Sequence, residues 1–560
     1  MFDAIVIGSG ISGGWAAKEL TERGLKTLLI ERGSHVDARD YTDDLSPWEL
    51  SNANQVPEDE RRNDYPIQST VYAFCAATKK FWVKDSEHPY STPPGKPFNW
   101  IRGYQLGGRS IMWGRASFRL SDYDFGANLK DGYGVDWPIR YGDLAPWYDH
   151  VEEFAGVSGS YEGLAQLPDG KFLPPMAMSD CEADFRDKVS AVFPERKVIV
   201  GRTANLSKAL PQHAELGRAQ CQMRSFCSRG CSLGAYFCSL SSTLPAARRT
   251  GNLVTATDTI AHSLIYDSKT GRVTGVQAMD AKTGIGRKYE ARVIFLCAST
   301  IPTTMILLNS ATDAWPSGLA NSSGMVGRNF MDHVGGVSAT AIYPGLDDRY
   351  YRGRKPTGIY IPQYRNIDTR EPYHRGFAFQ GVAWRSTWER GRFSNIGIGE
   401  AAKDILRKPG PWMLSLGARL EMLPNLENRV SRHSTRRDKW GMAIPHIVWQ
   451  PGQNEFQLME AAKADAKEMM EAAGARIVSL VGSADTLEGS VHEMGTARMG
   501  RNPKDSVLNQ YNQAHDVPNL FITDGSAMTS TGTQNPSLTY MALSARAAHY
   551  AVEFLRSGKL

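Results

Sequence analysis

The chain is predicted to be α/β, and three features of its opening and length carry that prediction. A short, unbroken apolar run, Ala4-Ile5-Val6-Ile7, reads as a parallel strand buried on both faces. The glycine-rich turn Gly8-Ser9-Gly10-Ile11-Ser12-Gly13 follows and opens a helix from about Ser12 to Arg23, with Gly24 placed to cap it. Thr27-Leu28-Leu29-Ile30 supplies a second strand ending at Glu31, which completes a Rossmann-like unit. A chain of 560 residues exceeds what one simple core holds, so a second, interleaved domain is expected.

Later elements follow the same logic. From about 34 to 100 the chain is polar and rich in Pro, Asp and Ser, and is expected to be mostly loop. A second glycine-rich stretch runs from Gly103 to Gly114. Leu144, Trp147, Tyr148, Val151 and Phe154 recur at helical spacing and predict an amphipathic helix over 144–157, its stripe facing the core. Over 252–297 short alternating strands are separated by Ser268-Lys269-Thr270-Gly271 and Lys282-Thr283-Gly284, and end in the buried strand Val293–Cys297. A β-meander returning to a parallel sheet is what a flavin domain of the two-dinucleotide type uses. Residues 340–450, aromatic and arginine-rich, are expected to build a separate antiparallel sheet that roofs the site. No internal repeat or low-complexity segment is present.

Composition excludes several classes of function. The 64 basic and 59 acidic residues leave +5, without a basic tail, which argues against nucleic acid as the main partner. No apolar run is long enough to span a bilayer. The first strand, Phe2 to Ile7, begins at the initiator, so no export signal of its own is expected.

The glycine turn carries chemistry as well as fold. Gly8 permits the tight turn, Gly10 lets backbone approach a pyrophosphate, and Gly13 lets helix and strand pack closely. The helix N-terminus offers unpaired N–H groups to phosphate. Glu31, eighteen positions after Gly13, is placed to accept hydrogen bonds from ribose hydroxyls. This pattern does not separate FAD from NAD. Asn519-Leu520-Phe521-Ile522-Thr523-Asp524-Gly525-Ser526 does, because a second strand ending in Asp524-Gly525, with a helix from about Pro536, suits a ribityl chain and an isoalloxazine edge.

With these motifs in place, the chain resembles the glucose–methanol–choline (GMC) oxidoreductases over nearly its whole length. The resemblance rests on the N-terminal fingerprint, on Gly107-Gly108-Arg109-Ser110 and on Gly327-Arg328-Asn329-Phe330-Met331-Asp332-His333. It extends to His492-Glu493-Met494-Gly495-Thr496-Ala497-Arg498-Met499-Gly500 and Thr533-Gln534-Asn535-Pro536-Ser537-Leu538-Thr539. Within the family it is most similar to the sugar-oxidising branch, which includes pyranose 2-oxidase, glucose and gluconate dehydrogenases and glucoside 3-dehydrogenase. The resemblance implies a Rossmann-like FAD-binding domain of GMC type over 1–40, 96–140, 200–336 and 487–560. It implies a substrate domain and cap over 41–95, 141–199 and 337–486. Gly107, Gly108 and Ser110 join Gly8, Gly10, Gly13, Glu31, Asp524 and Gly525 as implied cofactor contacts. Pyranose oxidase anchors its flavin on a histidine of the glycine-rich loop. Met112 stands at that place here, so non-covalent FAD is expected.

Flavin-dependent alcohol oxidation needs a base for the hydroxyl proton and a group to hold the oxygen. His492 occupies the family's base position, and histidine suits it because its pKa lies near operating pH. Asn535 occupies the partner position, although beside Pro536 it is also placed to cap a helix. His333 is expected to be structural.

Of seven cysteines, Cys75, Cys181 and Cys297 are scattered and read as buried small hydrophobes. Cys221, Cys227, Cys231 and Cys238 fall within eighteen residues, which favours metal over a disulfide framework. The spacing matches neither a zinc ribbon nor a common ferredoxin, and zinc on four cysteines is a fair alternative. Cys227-Ser228-Arg229-Gly230-Cys231 resembles the cluster segment of FAD-dependent glucose and glucoside dehydrogenase subunits. That likeness implies a 3Fe–4S cluster on Cys221, Cys227 and Cys231, with Cys238 spare or a fourth ligand. It implies a dehydrogenase that oxidises a sugar or glucoside at a secondary hydroxyl, C3 by resemblance. Electrons would pass to a cytochrome c-type or other acceptor. It further implies a small partner subunit with a twin-arginine signal and co-export to the periplasm; a cytoplasmic enzyme fits the missing signal equally well.

Overall fold

A computed structural model describes residues 1–349, 353–386 and 397–560. Two sheets organise it. The strand Phe2–Ile7 pairs in parallel with Thr27–Ile30 on one side and with Gly286–Leu296 on the other. Thr27–Ile30 continues in parallel to Leu253–Ala256, and Leu520–Ile522 adds in parallel to the far edge of Gly286–Leu296. Ala4 to Ile7, Leu28 to Ile30 and Val293 to Leu296 are almost wholly buried, as strands covered on both faces must be.

The long strand Gly286–Leu296 joins two kinds of pairing. Its C-terminal half lies in the parallel sheet, while its N-terminal half pairs antiparallel with Arg272–Asp280, which pairs in turn with Thr259–Asp267. Gly271 and Gly284 hold the two turns at φ +68° and +72°, in the left-handed region. The meander expected over 252–297 is therefore present.

The helix Ile11–Glu22 crosses one face of the parallel sheet beside the C-terminal helix Ser537–Arg556. Both bring small buried residues to one shared cluster: Ala16 and Ala17 from one, Ala547, Ala548 and Ala551 from the other. Small side chains let the helix axes approach closely. The helix Tyr141–Ala155 also packs against Ser537–Arg556, and Trp15 meets its His150 and Phe154 edge-on. Sequence reading groups 141–199 with the substrate part; this helix instead buries its stripe on the dinucleotide side, because the apolar surface it matches is there.

The second sheet is antiparallel. Its strands run in the order Arg476–Val481, Ser338–Tyr343, Trp412–Leu420, Phe377–Arg385, Ile359–Ile361 and Ile199–Val200. Alternate residues of Trp412–Leu420 and Ser338–Tyr343 are buried, and the residues between them are half-exposed. The helix Gln453–Ala472 packs on this sheet through a buried stripe of Leu458, Met459, Ala462, Ala466 and Met469. The other face, carrying Gln380 and Arg419, turns toward the parallel domain. Residues 350–352 and 387–396 of the 337–486 assignment lie outside the described residues.

Candidate active site

One long cavity runs between the two sheets. Gly8, Ser9, Gly10, Ile11, Ser12, Glu31 and Arg32 line one end, and His492, Asn535, Pro536 and Tyr540 line the other. Gly108, Arg109, Ser110, Met112, Asp524 and Gly525 line the stretch between. Gly13 and Gly107 stand behind the wall, and the three expected cluster cysteines are not part of it.

At the glycine end, the space a side chain would take explains each residue. A Cβ on Gly8, which has φ +97°, would lie 2.4 Å from the Cys297 carbonyl oxygen, and one on Gly13 would lie 1.8 Å from the Gly8 carbonyl oxygen. Both glycines serve internal packing. Gly10 differs: a Cβ there meets no protein atom within 4 Å, so the space in front of it is open. Gly108 backs onto it, its Cβ position 3.3 Å from the Gly10 Cα. The helix Ile11–Glu22 begins beside this gap with no side-chain cap and no acidic residue in its first turn. Its N–H groups and positive dipole end therefore face a space shaped for an anion.

The Glu31 carboxylate is buried and tied down. Its Oε2 accepts from the Ser9 N–H at 3.1 Å and from the Ser9 hydroxyl, and its Oε1 accepts from the Gly33 N–H at 2.8 Å. Burial pushes its pKa above the usual carboxylate value, against those donors. The Gly107 N–H donates to Ser9 Oγ at 2.8 Å, which fastens the second glycine loop to the first. The Ser110 hydroxyl is used internally as well, donating to the Gly107 carbonyl and accepting from the Ser239 N–H. Asp524 caps the short turn Gly525–Ala527 through Ser526 and accepts from the Thr303 hydroxyl. A Cβ on Gly525 would lie 2.2 Å from the Glu493 carbonyl oxygen, so this turn presses directly on the segment after His492.

At the histidine end, a chain of hydrogen bonds fixes protonation. His333 Nε2 lies 2.7 Å from the Gly532 carbonyl oxygen, which only accepts, so Nε2 carries the proton. Burial holds the His333 pKa down to about 4, so the ring is neutral and its Nδ1 is a bare acceptor. His492 Nδ1 lies 2.9 Å from that atom and must donate to it. His492 Nε2 is thus left unprotonated, 3.2 Å from the Asn535 amide nitrogen. Gln380 Nε2 donates to Asn535 Oδ1, which orients the amide so that Nδ2 faces His492. Burial, then the adjoining His333 ring and the positive charges of Arg419 and Arg109, hold the His492 pKa well below the usual imidazole value.

The backbone around His492 is anchored too. Its N–H donates to Asp332 Oδ1 at 3.0 Å, and the next residue, Glu493, pairs with Arg109 of the second glycine loop at 2.6 Å. Burial and the neighbouring Glu493 push the Asp332 pKa well above its usual value. Asn535 does not cap the following helix: Ser537–Arg556 has no side-chain cap, and the amide is spent on His492 and Gln380. Met112 lines the cavity, and a thioether cannot make the covalent bond a histidine makes there.

Sequence reading missed His333 as His492's partner and missed Gln380 entirely. His333 follows Asp332 in a motif already singled out, so two buried polar residues in succession were its signal. Gln380 had only its place on an alternating strand.

The cysteine segment lies apart from this chain of bonds. Cys221, Cys227 and Cys231 are half-buried and free, and Cys238 is buried and free. Cys221 Sγ accepts from the Met223 N–H and Cys231 Sγ from the Ala235 N–H, each at 3.4 Å. Burial raises both thiol pKa values. Among the described residues, no three or more His, Cys, Asp or Glu side chains are gathered closely enough to hold a metal ion. As arranged here the segment does not form a ready cluster site.

Family models described as GMC oxidoreductase match residues 2–335 and 424–544. The chain is a GMC oxidoreductase. Membership brings FAD as cofactor, and the open front of Gly10, the uncapped helix end and the continuous cavity fit it. Three curated relatives align almost end to end. A 2-methyl-1,2-propanediol dehydrogenase of Mycolicibacterium austroafricanum is 27% identical, covering 98% of this chain and 94% of its own. A fructose dehydrogenase large subunit of Gluconobacter japonicus is 26% identical, over 99% and 98%. A paromamine 6'-oxidase of Streptomyces fradiae is 28% identical, over 98% and 91%. Among solved structures, a formate oxidase variant of Aspergillus oryzae superposes with a TM-score of 0.64 at 14% identity, covering 99% of both chains, which supports the fold alone. This GMC oxidoreductase acts on alcohol or sugar CH–OH donors. Among the described residues no helix is long and apolar enough to cross a membrane.

Proposed function

We propose that the chain is the catalytic subunit of a sugar dehydrogenase that oxidises a secondary hydroxyl, C3 of a glucoside or pyranose, to the ketone. The observation that carries the proposal is the unprotonated His492 Nε2 at the end of the cavity, facing the Asn535 amide. A substrate hydroxyl that displaces this contact gives its proton to His492 Nε2 while its oxygen accepts from Asn535 Nδ2. The Asn535 N–H then stabilises the negative charge that grows on that oxygen. Bound FAD supplies the acceptor for the hydride leaving the carbon, so the alcohol loses two electrons and the flavin gains them. His333 holds His492 in the tautomer this needs, and Gln380 prevents the Asn535 amide from turning its acceptor toward the base.

The C3 position rests on resemblance, and product analysis after turnover of glucose and simple glucosides tests it. A ketone at another carbon, or no turnover of any sugar, would reject it. Export with a small partner subunit carrying a twin-arginine signal, to the periplasm, is part of the same reading; the relative named as a large subunit supports a multi-subunit enzyme. Retention in the cytoplasm as a lone chain is the opposite outcome, read by fractionation.

The 3Fe–4S cluster on Cys221, Cys227 and Cys231 is the finer part of the proposal, and its ligation requires the three sulfurs to close up. A signal near g = 2 from the oxidised protein is expected; zinc at full occupancy without iron rejects it. A second reading, an oxidase using O2, is favoured by the relative named as an oxidase. Rapid peroxide formation with poor dye reduction would select it over a dehydrogenase delivering electrons to a cytochrome.

A further inference from the structure

The end of the cavity beyond Glu31 is closed by residues from the opposite end of the chain. The hairpin of Arg429–Arg437 and Ala443–Val448 forms a small sheet of its own, and its tip reaches the cavity through Asp438, Met442 and Ala443. Asp438 shapes that tip by accepting from the N–H groups of Trp440 and Met442, each at 3.0 Å. Trp440 Nε1 donates to the Ala281 carbonyl at 3.0 Å, which hooks the tip onto the meander, and Lys439 pairs with Glu87 at 2.7 Å.

Under this tip sits Arg32, next to Glu31 in sequence and also in the cavity wall. Its guanidinium is sandwiched between two rings, with Tyr104 at 4.5 Å and Trp440 at 4.8 Å from their centroids. One Nη lies 3.3 Å from His88 Nδ1. Burial, then the positive charges of Arg32, Arg102 and Lys439, hold His88 neutral, so it accepts from Arg32. The Arg32 guanidinium thus spends its Nη on a neutral imidazole rather than on a carboxylate, and its Nε–H is enclosed by protein.

We infer that Arg32, held flat between Tyr104 and Trp440, is the group that recognises the adenine ring of the cofactor, and that the 429–448 hairpin is the strap that keeps it there. The inference rests on the flavin reading of the cavity. Glu31 is an acceptor for ribose hydroxyls; the adenine ring beyond offers acceptor nitrogens and a flat face, and needs a donor of matching shape. A planar guanidinium clamped on two rings supplies a fixed donor that a lysine ammonium does not.

The test follows FAD release from the holoenzyme by flavin fluorescence, and ADP competition with FAD rebinding. Arg32→Met is expected to weaken FAD and ADP by the same factor, about tenfold or more, the size of one charge-assisted hydrogen bond. Arg32→Lys should recover little of it. Trp440→Ala should speed FAD release in the same direction, and it serves as the second variant if Arg32→Met fails to fold. Affinity for both ligands within twofold of wild type in the folded variants overturns the inference, as does a loss for FAD without a loss for ADP. Wild-type protein that binds neither FAD nor ADP would instead reject the flavin reading itself.

Discussion

The two ends of the cavity are built by different means. At the glycine end the backbone does the work: Gly8 and Gly13 make room for other backbone, and Gly10 leaves room for something outside the protein. These residues fall within six consecutive positions of one turn. At the histidine end the working contacts run from side chain to side chain, with the Gly532 carbonyl as their backbone anchor, and His333, Gln380, His492 and Asn535 come from four separate segments. A local motif can be moved as a unit. A relay assembled from four segments fails when any one of them shifts.

The largest effect that tests this contrast is His492→Ala. Turnover is expected to fall by about two or more orders of magnitude, with FAD content and melting temperature near wild type, by steady-state assay and flavin absorbance. Full activity in that variant would remove the base assignment and favour a flavin electron-carrier without a substrate of its own. At the other end, Gly10→Val is expected to fold normally, since the protein leaves the site open, yet to lose FAD affinity about tenfold or more. Normal FAD binding there would mean the cofactor does not pass in front of Gly10.

Gln380→Leu is a subtler probe of the relay. It frees the Asn535 amide to rotate, and a fall of about five- to twentyfold in kcat, the size of one hydrogen bond, is expected with FAD affinity unchanged. Equal loss of FAD affinity would show that Gln380 supports the fold rather than the amide.

The smallest effect is in pH. His333 titrates at about 4 in the folded chain against an ordinary 6.5. The unfolded state therefore binds the proton first as pH falls, and stability drops from pH 6.5 toward 4. One such histidine accounts for about 3 kcal/mol. His492, also depressed, keeps its base form throughout the neutral range, so kcat/KM should be flat from pH 7 upward and fall only on the acid side. Chemical denaturation and rate profiles across pH 4–8 measure both; an activity rise centred between pH 7 and 8 would contradict the neutral pair.

Much of the fold was legible in the chain because its signals are local. Continuous apolar strands, a glycine turn with fixed spacing and the two glycine hairpins each act within a few residues. The helix at 141–155 was legible as a helix but not in its partner, because an apolar stripe does not say which surface it meets. The same limit applies to the cysteines: four within eighteen residues suggest a ligand set, yet spacing along the chain does not say how near the sulfurs come to one another, and among the described residues they are not gathered into a metal site.

By itself, then, the sequence determined that this protein opens with a dinucleotide turn and carries the motifs of the GMC oxidoreductases, and it offered His492 and Asn535 as the expected base and its partner. Tertiary structure decided which nitrogen of His492 is free, since that depends on the Gly532 carbonyl acting through His333, 159 residues from His492. It also decided which way Asn535 faces, through Gln380, and what closes the cavity over Arg32. The physical reason is common to all three. A hydrogen bond's direction, like a ring's stacking, is set by its partner, and here each partner is supplied by a remote stretch of chain.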